Sequence, residues 1–361
     1  MKIGVPKEIK DREFRAGLTP TSVRVLIEQK HQVVIEEDAG LGSGFTNEDY
    51  IQAGATIVNQ SEAWDSEMVI KVKEPLEAEY QYLQKDQILF TYLHLAADRQ
   101  LTEALLQSGV TAIAYETVQL PDGRLPLLTP MSIIAGKLSV QIGARYLEKK
   151  KGGKGILLGG MPGVSQGNVV ILGGGIVGTE AAKMAVGMGA KVAILDVNLD
   201  RLAYLETLFG SRVELLYSTS PHIAKVVPHA DLLIGAVLIT GKKAPMLVSR
   251  DLVKQMSAGS VIMDVAVDQG GCIETLHTTS HSEPSYVEEG VLHLGIPNLP
   301  GAVPRTATQA LNNSTLPYVI KLANQSIGAL KQDASLAQGL NVQYYRLIHP
   351  AVQQVFPDLV K

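Results

Sequence analysis

Gly173, Gly175 and Gly178 follow the apolar run 169–172 with G-x-G-x-x-G spacing, and a helix-like stretch from Glu180 to Ala185 comes after them. A second apolar run then ends in Asp196, 18 residues beyond Gly178. This order of parts suits the pyrophosphate and ribose of a dinucleotide. The first glycine permits a tight turn, the second lets backbone approach the phosphates, and the third lets helix pack close to strand. Unpaired N–H groups at the helix start then face the phosphates. An acid closing the second strand accepts hydrogen bonds from the ribose hydroxyls and repels a 2′-phosphate, so Asp196 predicts NAD rather than NADP. Glycines serving only tight packing would not require strand, helix, second strand and acid to stand in register.

Ligands of doubly wound folds bind beyond the carboxyl ends of the parallel strands. The β-rich run 68–72 ends in Lys73, and the run 88–93 ends in His94. Farther on, 232–234 opens onto Gly235, Ala236 and Val237, while 260–263 ends in Asp264 and continues to Asp268. If the carboxyl edges of two such sheets face each other, Lys73, His94 and Asp268 surround the nicotinamide. Taken alone, each has an ordinary reading: a solvated strand-end lysine, a satisfied core histidine, an aspartate capping a loop. Lys71 matches Lys73 on charge, and Arg15 alone reads as a surface arginine. Cys272 reads as a buried structural thiol. No Cys/His cluster has metal-ligand spacing, and His277 and His281 stand in a Thr/Ser-rich stretch, so no metal site is expected.

The elements that must position these groups alternate. Strand-like runs at 2–5, 32–36, 68–72, 88–93 and 111–115 are separated by helical patterns such as 21–29, capped by Thr19 or Thr21, and 99–107. Such alternation implies a parallel sheet covered on both faces. Near Thr129–Pro130–Met131 the pattern changes, and Ser132 is placed to cap a long helix through Lys149. Further strands are expected at 155–158, 169–172, 191–195, 213–216, 232–234 and 260–263, and a last long helix from Ala307 to about Leu330. The fold class is therefore α/β: two doubly wound Rossmann-like domains with a cleft between them. Residues 1–128 form the first part of a substrate domain, 129–304 the NAD-binding domain, and 305–361 the return to the first.

With 361 residues, 46% hydrophobic content and a net charge of −4, the chain has ample core and no electrostatic reason to bind nucleic acid or an anionic membrane. Its single cysteine, Cys272, fits a reducing, cytoplasmic compartment. Lys2, Lys7, Glu8, Lys10 and Asp11 interrupt any signal-peptide pattern. Residues 155–179 lack charge but contain nine glycines and Pro162, which rules out a continuous spanning helix.

The motifs Met1–Glu8, Glu13–Pro20 (EFRAGLTP), Lys71–Pro75 (KVKEP), Tyr92–Ala96 (YLHLA), Leu128–Ser132, Asp264–Gly271 (DVAVDQGG) and Pro297–Pro304 (PNLPGAVP) resemble, together, the alanine dehydrogenase family. The similarity runs from the first residue to the last. The same motifs occur, loosened, in the nucleotide-binding part of proton-translocating transhydrogenase. Ala16–Gly17 stand where relatives often carry bulkier residues. The resemblance implies that Arg15 and Lys73, rather than Lys71, bind substrate, with His94 as acid/base and Asp268 as its companion acid. It also implies NAD contacts from Ser132, Arg201, Ser218, Val237, Leu238, Val267 and Asn298 besides Gly173, Gly175, Ile176, Val177, Gly178 and Asp196.

By this resemblance the expected reaction is L-alanine + NAD⁺ + water to pyruvate + ammonium + NADH + H⁺, reversible, through an iminium and a carbinolamine. The partners implied are small molecules, and the family's usual homohexamer is expected. Two rivals are a transhydrogenase component, which exchanges hydride between cofactors, and a noncatalytic NAD-binding module. The retained Arg15, Lys73 and His94 argue against the first, and tight NADH binding without turnover would favour the second.

Overall fold

A computed structural model describes residues 1–237, 244–267 and 270–360. Its strands are, in chain order, β1 (Lys2–Val5), β2 (Gln32–Glu36), β3 (Thr56–Val58), β4 (Met68–Ile70), β5 (Ile88–Thr91) and β6 (Thr111–Ala114), then β7 (Asn168–Leu172), β8 (Lys191–Asp196), β9 (Val213–Tyr217), β10 (Leu232–Gly235), β11 (Val261–Asp264), β12 (Tyr286–Glu288) and β13 (Val291–Leu294), and finally β14 (Leu340–Gln343) and β15 (Arg346–Leu347). The chain divides into two compact units, one of Met1–Met131 with Val303–Lys361 and one of Ser132–Ala302.

In the first unit the sheet order is β15-β14-β6-β5-β4-β1-β2-β3. The six strands β1 to β6 are mutually parallel, and β14 adds to β6 antiparallel. In the second unit the order is β12-β13-β11-β10-β7-β8-β9, parallel except for β12. Both therefore carry one doubly wound order, 3-2-1-4-5-6, with an antiparallel extension at one edge. The strand order reverses between β1 and β4 in one sheet and between β7 and β10 in the other. These are the switch points at which such sheets bind ligands.

Burial on both faces explains the strands' unbroken apolar runs. Every residue of β4, β5, β6, β10, β11 and β13 is buried. Trp64, Val69, Leu89, Leu101 and Leu105 lie in one core of the first unit; Val170, Leu195, Leu233, Ile262 and Cys272 lie in a core of the second.

Some expected elements are corrected. Residues 155–158 form no strand, because the surrounding glycines give turns: Gly155 and Gly160 both have positive φ. Ser132 lies inside the helix Thr129–Tyr146 and so is not its cap. The last long helix is Pro304–Gln325, starting at a proline that suits a first helical position. Thr19 caps Pro20–Glu28, its hydroxyl accepting from the Ser22 N–H at 3.2 Å.

Candidate functional site

In the second unit, the turn after β7 behaves as a phosphate loop must. Gly173 has φ +99°, and a Cβ there would lie 2.6 Å from the Ala236 carbonyl at the end of β10. A Cβ on Gly178 would lie 1.9 Å from the Gly173 carbonyl, so only glycine lets this helix start so close to its strand. Gly175 differs: it is the N-cap of Ile176–Gly187, is exposed, and a Cβ there meets nothing within 4 Å. That open ground before a helix N-terminus fits a dinucleotide's pyrophosphate.

Asp196 ends β8 beside this loop. Its Oδ2 accepts from the Gly174 N–H at 2.6 Å and its Oδ1 from the Asn198 N–H at 2.8 Å, and each oxygen has a further lone pair for a ribose hydroxyl. Arg201 braces the same loop. Its Nε donates to the Gly174 carbonyl (2.5 Å) and its Nη2 to the Thr179 hydroxyl (2.6 Å), with the guanidinium 4.6 Å from the Tyr204 ring centre. Ser218 follows β9, its N–H bonded to the Asp196 carbonyl at 2.9 Å. Val237 follows β10 and Val267 follows β11, while Asn298 has the left-handed φ of +52°. Ser132, half-buried, sits in the first turn of Thr129–Tyr146. Leu238 and Asp268 lie outside the described residues. Asp264, at the end of β11, is buried and bonded to main chain: Oδ1 accepts from the Ala266 N–H (2.9 Å) and Oδ2 from the Cys272 N–H (2.8 Å).

The first unit places side chains, not amides, at its switch point. Arg15 lies in the connection after β1, Lys73 beyond β4 and His94 beyond β5, three adjacent strands. Gly17 brings the Arg15 segment onto the end of β4, since a Cβ there would be 2.5 Å from the Ile70 carbonyl. A bulkier residue at 17 would not fit this packing.

Arg15 is buried, and its side-on edge is held by Glu13, Nε to Oε1 at 2.6 Å and Nη2 to Oε2 at 2.5 Å; Nη1 lies 3.1 Å from Met131 Sδ. Burial works against the arginine's charge, but Glu13's hydrogen bonds and field outweigh it and push the pKa up. Lys73 is half-buried and in no ion pair among the described residues. Burial first, then the Arg15 cation, pushes its ammonium below the ordinary lysine range. Lys71 is different: it is fully buried between Glu79 (2.8 Å) and Glu8 (3.2 Å), whose charges outweigh its burial and push its pKa up. A cation so enclosed has no access to a ligand, which separates the two lysines that charge alone did not.

His94 has φ +50°, a costly conformation for a residue with a Cβ. Glu116, two residues beyond β6, holds it there: Oε1 accepts the His94 N–H at 2.6 Å, and both oxygens accept the Leu93 N–H at 3.2 Å. The imidazole is 48% exposed, with Nδ1 3.9 Å from Glu116 Oε1, and lies parallel to the Tyr92 ring at 5.9 Å. An exposed imidazole on a rigid backbone, with a carboxylate nearby, is suited to moving protons.

Sequence reasoning missed Glu13, Glu116 and Tyr92. Glu116 was within reach of the carboxyl-edge rule, since it follows β6 as His94 follows β5. Glu13 had no signal of its own, because pairing two residues apart depends on the local turn.

Models of the alanine dehydrogenase/PNT N-terminal and C-terminal domains match residues 4–135 and 139–350. The chain belongs to the alanine dehydrogenase/PNT family. It is 56% identical to an alanine dehydrogenase of Staphylococcus haemolyticus, over 99% of this chain and 96% of that one. Against an alanine dehydrogenase of Bacillus subtilis it is again 56% identical, over 98% of this chain and 94% of that one. A solved L-alanine dehydrogenase superposes with a TM-score of 0.98 at 69% identity, covering all of both chains. A transhydrogenase from Sinorhizobium meliloti shares the fold, with a TM-score of 0.84 at 23% identity over 97% of this chain and all of that one. Among the described residues no helix is long and apolar enough to cross a membrane, and no group of acids, histidines and cysteine is arranged to hold a metal.

Proposed function

We propose that this protein is an NAD-dependent L-alanine dehydrogenase, reversibly converting L-alanine to pyruvate and ammonium. The observation that carries the reading is the placement of Arg15, Lys73 and His94 on adjacent strand ends at the switch point of the first sheet. The first unit takes the substrate and the second the cofactor. NAD, when bound, supplies the acceptor for the hydride that leaves the substrate's α-carbon.

Arg15 takes the substrate carboxylate on the Nη1–Nη2 end of its fork. Glu13 keeps the guanidinium oriented meanwhile. Lys73 holds a carboxylate or carbonyl oxygen, and its cation opposes the charge that builds on the oxygen when pyruvate is attacked. His94 takes a proton from water as it adds to the iminium carbon and returns one as ammonia departs. Asp268 steadies the cationic iminium. On the cofactor side, the open Gly175 turn receives the pyrophosphate and Asp196 the ribose, with Arg201 bracing the loop. Ser132, Ser218, Val237, Leu238, Val267 and Asn298 complete the cofactor contacts.

The test is spectrophotometric. NADH should appear when L-alanine and NAD⁺ are supplied, and hydride exchange from NADH to an NADP analogue should not. Exchange without alanine turnover would favour a transhydrogenase component, and tight NADH binding without either would favour a noncatalytic module.

We further propose a cytoplasmic homohexamer. The exposed apolar side chains of Leu157 (70%), Met161 (64%) and Val164 (61%) support self-association, and the lone cysteine supports a reducing compartment. Light scattering behind size exclusion checks the assembly.

A further inference from the structure

Lys73 stands just past the end of β4, where backbone groups have lost their sheet partners. Buried N–H and C=O groups must find others. Around Val72 and Lys73 all four do. The Val72 carbonyl accepts the Tyr92 N–H at 3.3 Å. Both N–H groups, of Val72 at 2.6 Å and of Lys73 at 3.3 Å, donate to one oxygen of Glu8. The Lys73 carbonyl accepts the Thr91 hydroxyl at 3.0 Å. Two of these partners are side chains brought from other strand ends, and both are buried.

Glu8 is itself held. Its other oxygen lies 3.2 Å from the Lys71 ammonium, which Glu79 grips at 2.8 Å. Glu79 in turn accepts the Leu76 N–H at 2.9 Å. Burying two carboxylates and a lysine is costly, and such clusters are poor devices for stability alone. This cluster ends on the backbone of the lysine that the proposed function assigns to substrate.

We propose that Glu8 and Thr91 are positioning residues for Lys73, gripping its N–H and its C=O so that the side chain alone is left to meet the substrate carboxylate or carbonyl. The proposal rests on the reading of Lys73 as a substrate-binding residue. Lys71 fixes Glu8, and Thr91 links Lys73 to the strand that leads to His94, so both groups share one rigid frame. Such frames matter because a misplacement of about 1 Å can cost about 10²-fold.

The test uses the full enzyme saturated with NADH and ammonium, reading pyruvate KM, kcat and NADH affinity for Glu8→Ala, Glu8→Gln, Thr91→Val and Lys73→Ala. Glu8→Ala leaves Lys71 paired with Glu79, and Thr91→Val is an isostere, so a second variant stands if one fails to fold. Glu8→Ala and Thr91→Val should raise pyruvate KM about tenfold, within the range a displaced binding group produces, with NADH affinity unchanged. Glu8→Gln, whose amide oxygen still accepts both N–H groups, should recover much of the loss. In a Lys73→Ala background neither change should raise KM further, as coupled residues are non-additive. A normal KM in Glu8→Ala and Thr91→Val, with a raised one in Lys73→Ala, overturns the positioning role and leaves the substrate lysine standing. Equal losses with and without Lys73 also overturn it. A normal pyruvate KM in Lys73→Ala removes the substrate reading, and the proposal falls with it.

Discussion

The two units share a strand order and differ in what they put at its reversal. In the second unit residues 173–175 alone join β7 to the next helix; in the first, residues 6–19 join β1 to Pro20–Glu28. The short turn offers backbone amides and room beside Gly175, which suit a large diphosphate. The long one brings Glu8, Glu13 and Arg15 to the sheet edge, and the neighbouring strands add Lys73 and His94. A small carboxylate has too few atoms to be recognised by a cradle and needs cations placed against it. Glu13 pairs with Arg15 there, and deeper in the same unit Glu8 and Glu79 enclose Lys71. One topology thus supports recognition by main chain and recognition by buried charge.

The largest expected break is in the side-chain unit. His94→Ala should lower turnover by about 10²–10⁴-fold, the usual worth of general acid–base help, with NADH binding intact. Asp268→Asn should also slow the reaction, and if the two act on the same proton transfers the double variant should be little worse than the poorer single. Single-turnover hydride transfer measures all of these, and a near-normal rate in His94→Ala would sink the assignment.

Arg15→Lys comes next. Lysine keeps the charge but cannot pair side-on with Glu13 and face a ligand at once. Losing one charged hydrogen bond typically costs about 1.5–3 kcal/mol, and pyruvate affinity should fall accordingly while NADH affinity does not. Pyruvate titration of the NADH complex reads this directly, and a wild-type dissociation constant would place Arg15 elsewhere.

In the main-chain unit, Asp196→Ala should weaken NAD and relatively improve NADP. The repulsive charge near the 2′ position disappears, and the Gly174 N–H loses its acceptor, so the loop itself loosens. Unchanged discrimination between the two cofactors in steady-state kinetics would remove Asp196 from the ribose.

The smallest effect is one of pH. Burial and the Arg15 charge depress Lys73's pKa, so its ammonium is lost at lower pH than an ordinary lysine's, near about 10.4. Pyruvate affinity should be full below that depressed value and fall as pH rises through it. In Lys73→Arg the charge persists to about pH 12 and the alkaline fall should move upward. An identical alkaline limb in both proteins would assign it to another group.

Local chemistry determined much of this protein from its sequence. Gly173, Gly175, Gly178 and Asp196 are legible because the turn, the helix start and the strand end they serve lie close together along the chain. The parallel strands are legible because burial on both faces leaves unbroken apolar runs. Charge and spacing did not separate Lys71 from Lys73, and tertiary structure gave the physical reason, since the acids that enclose Lys71 come from β1's connection and from a turn after β4. It alone gave Glu116 to His94, across 22 residues of chain, and Glu13 to Arg15, in an irregular turn. It also decided where charge is poor evidence of access: both lysines carry the same group, and burial against neighbours distant in sequence encloses Lys71 fully and Lys73 only in part.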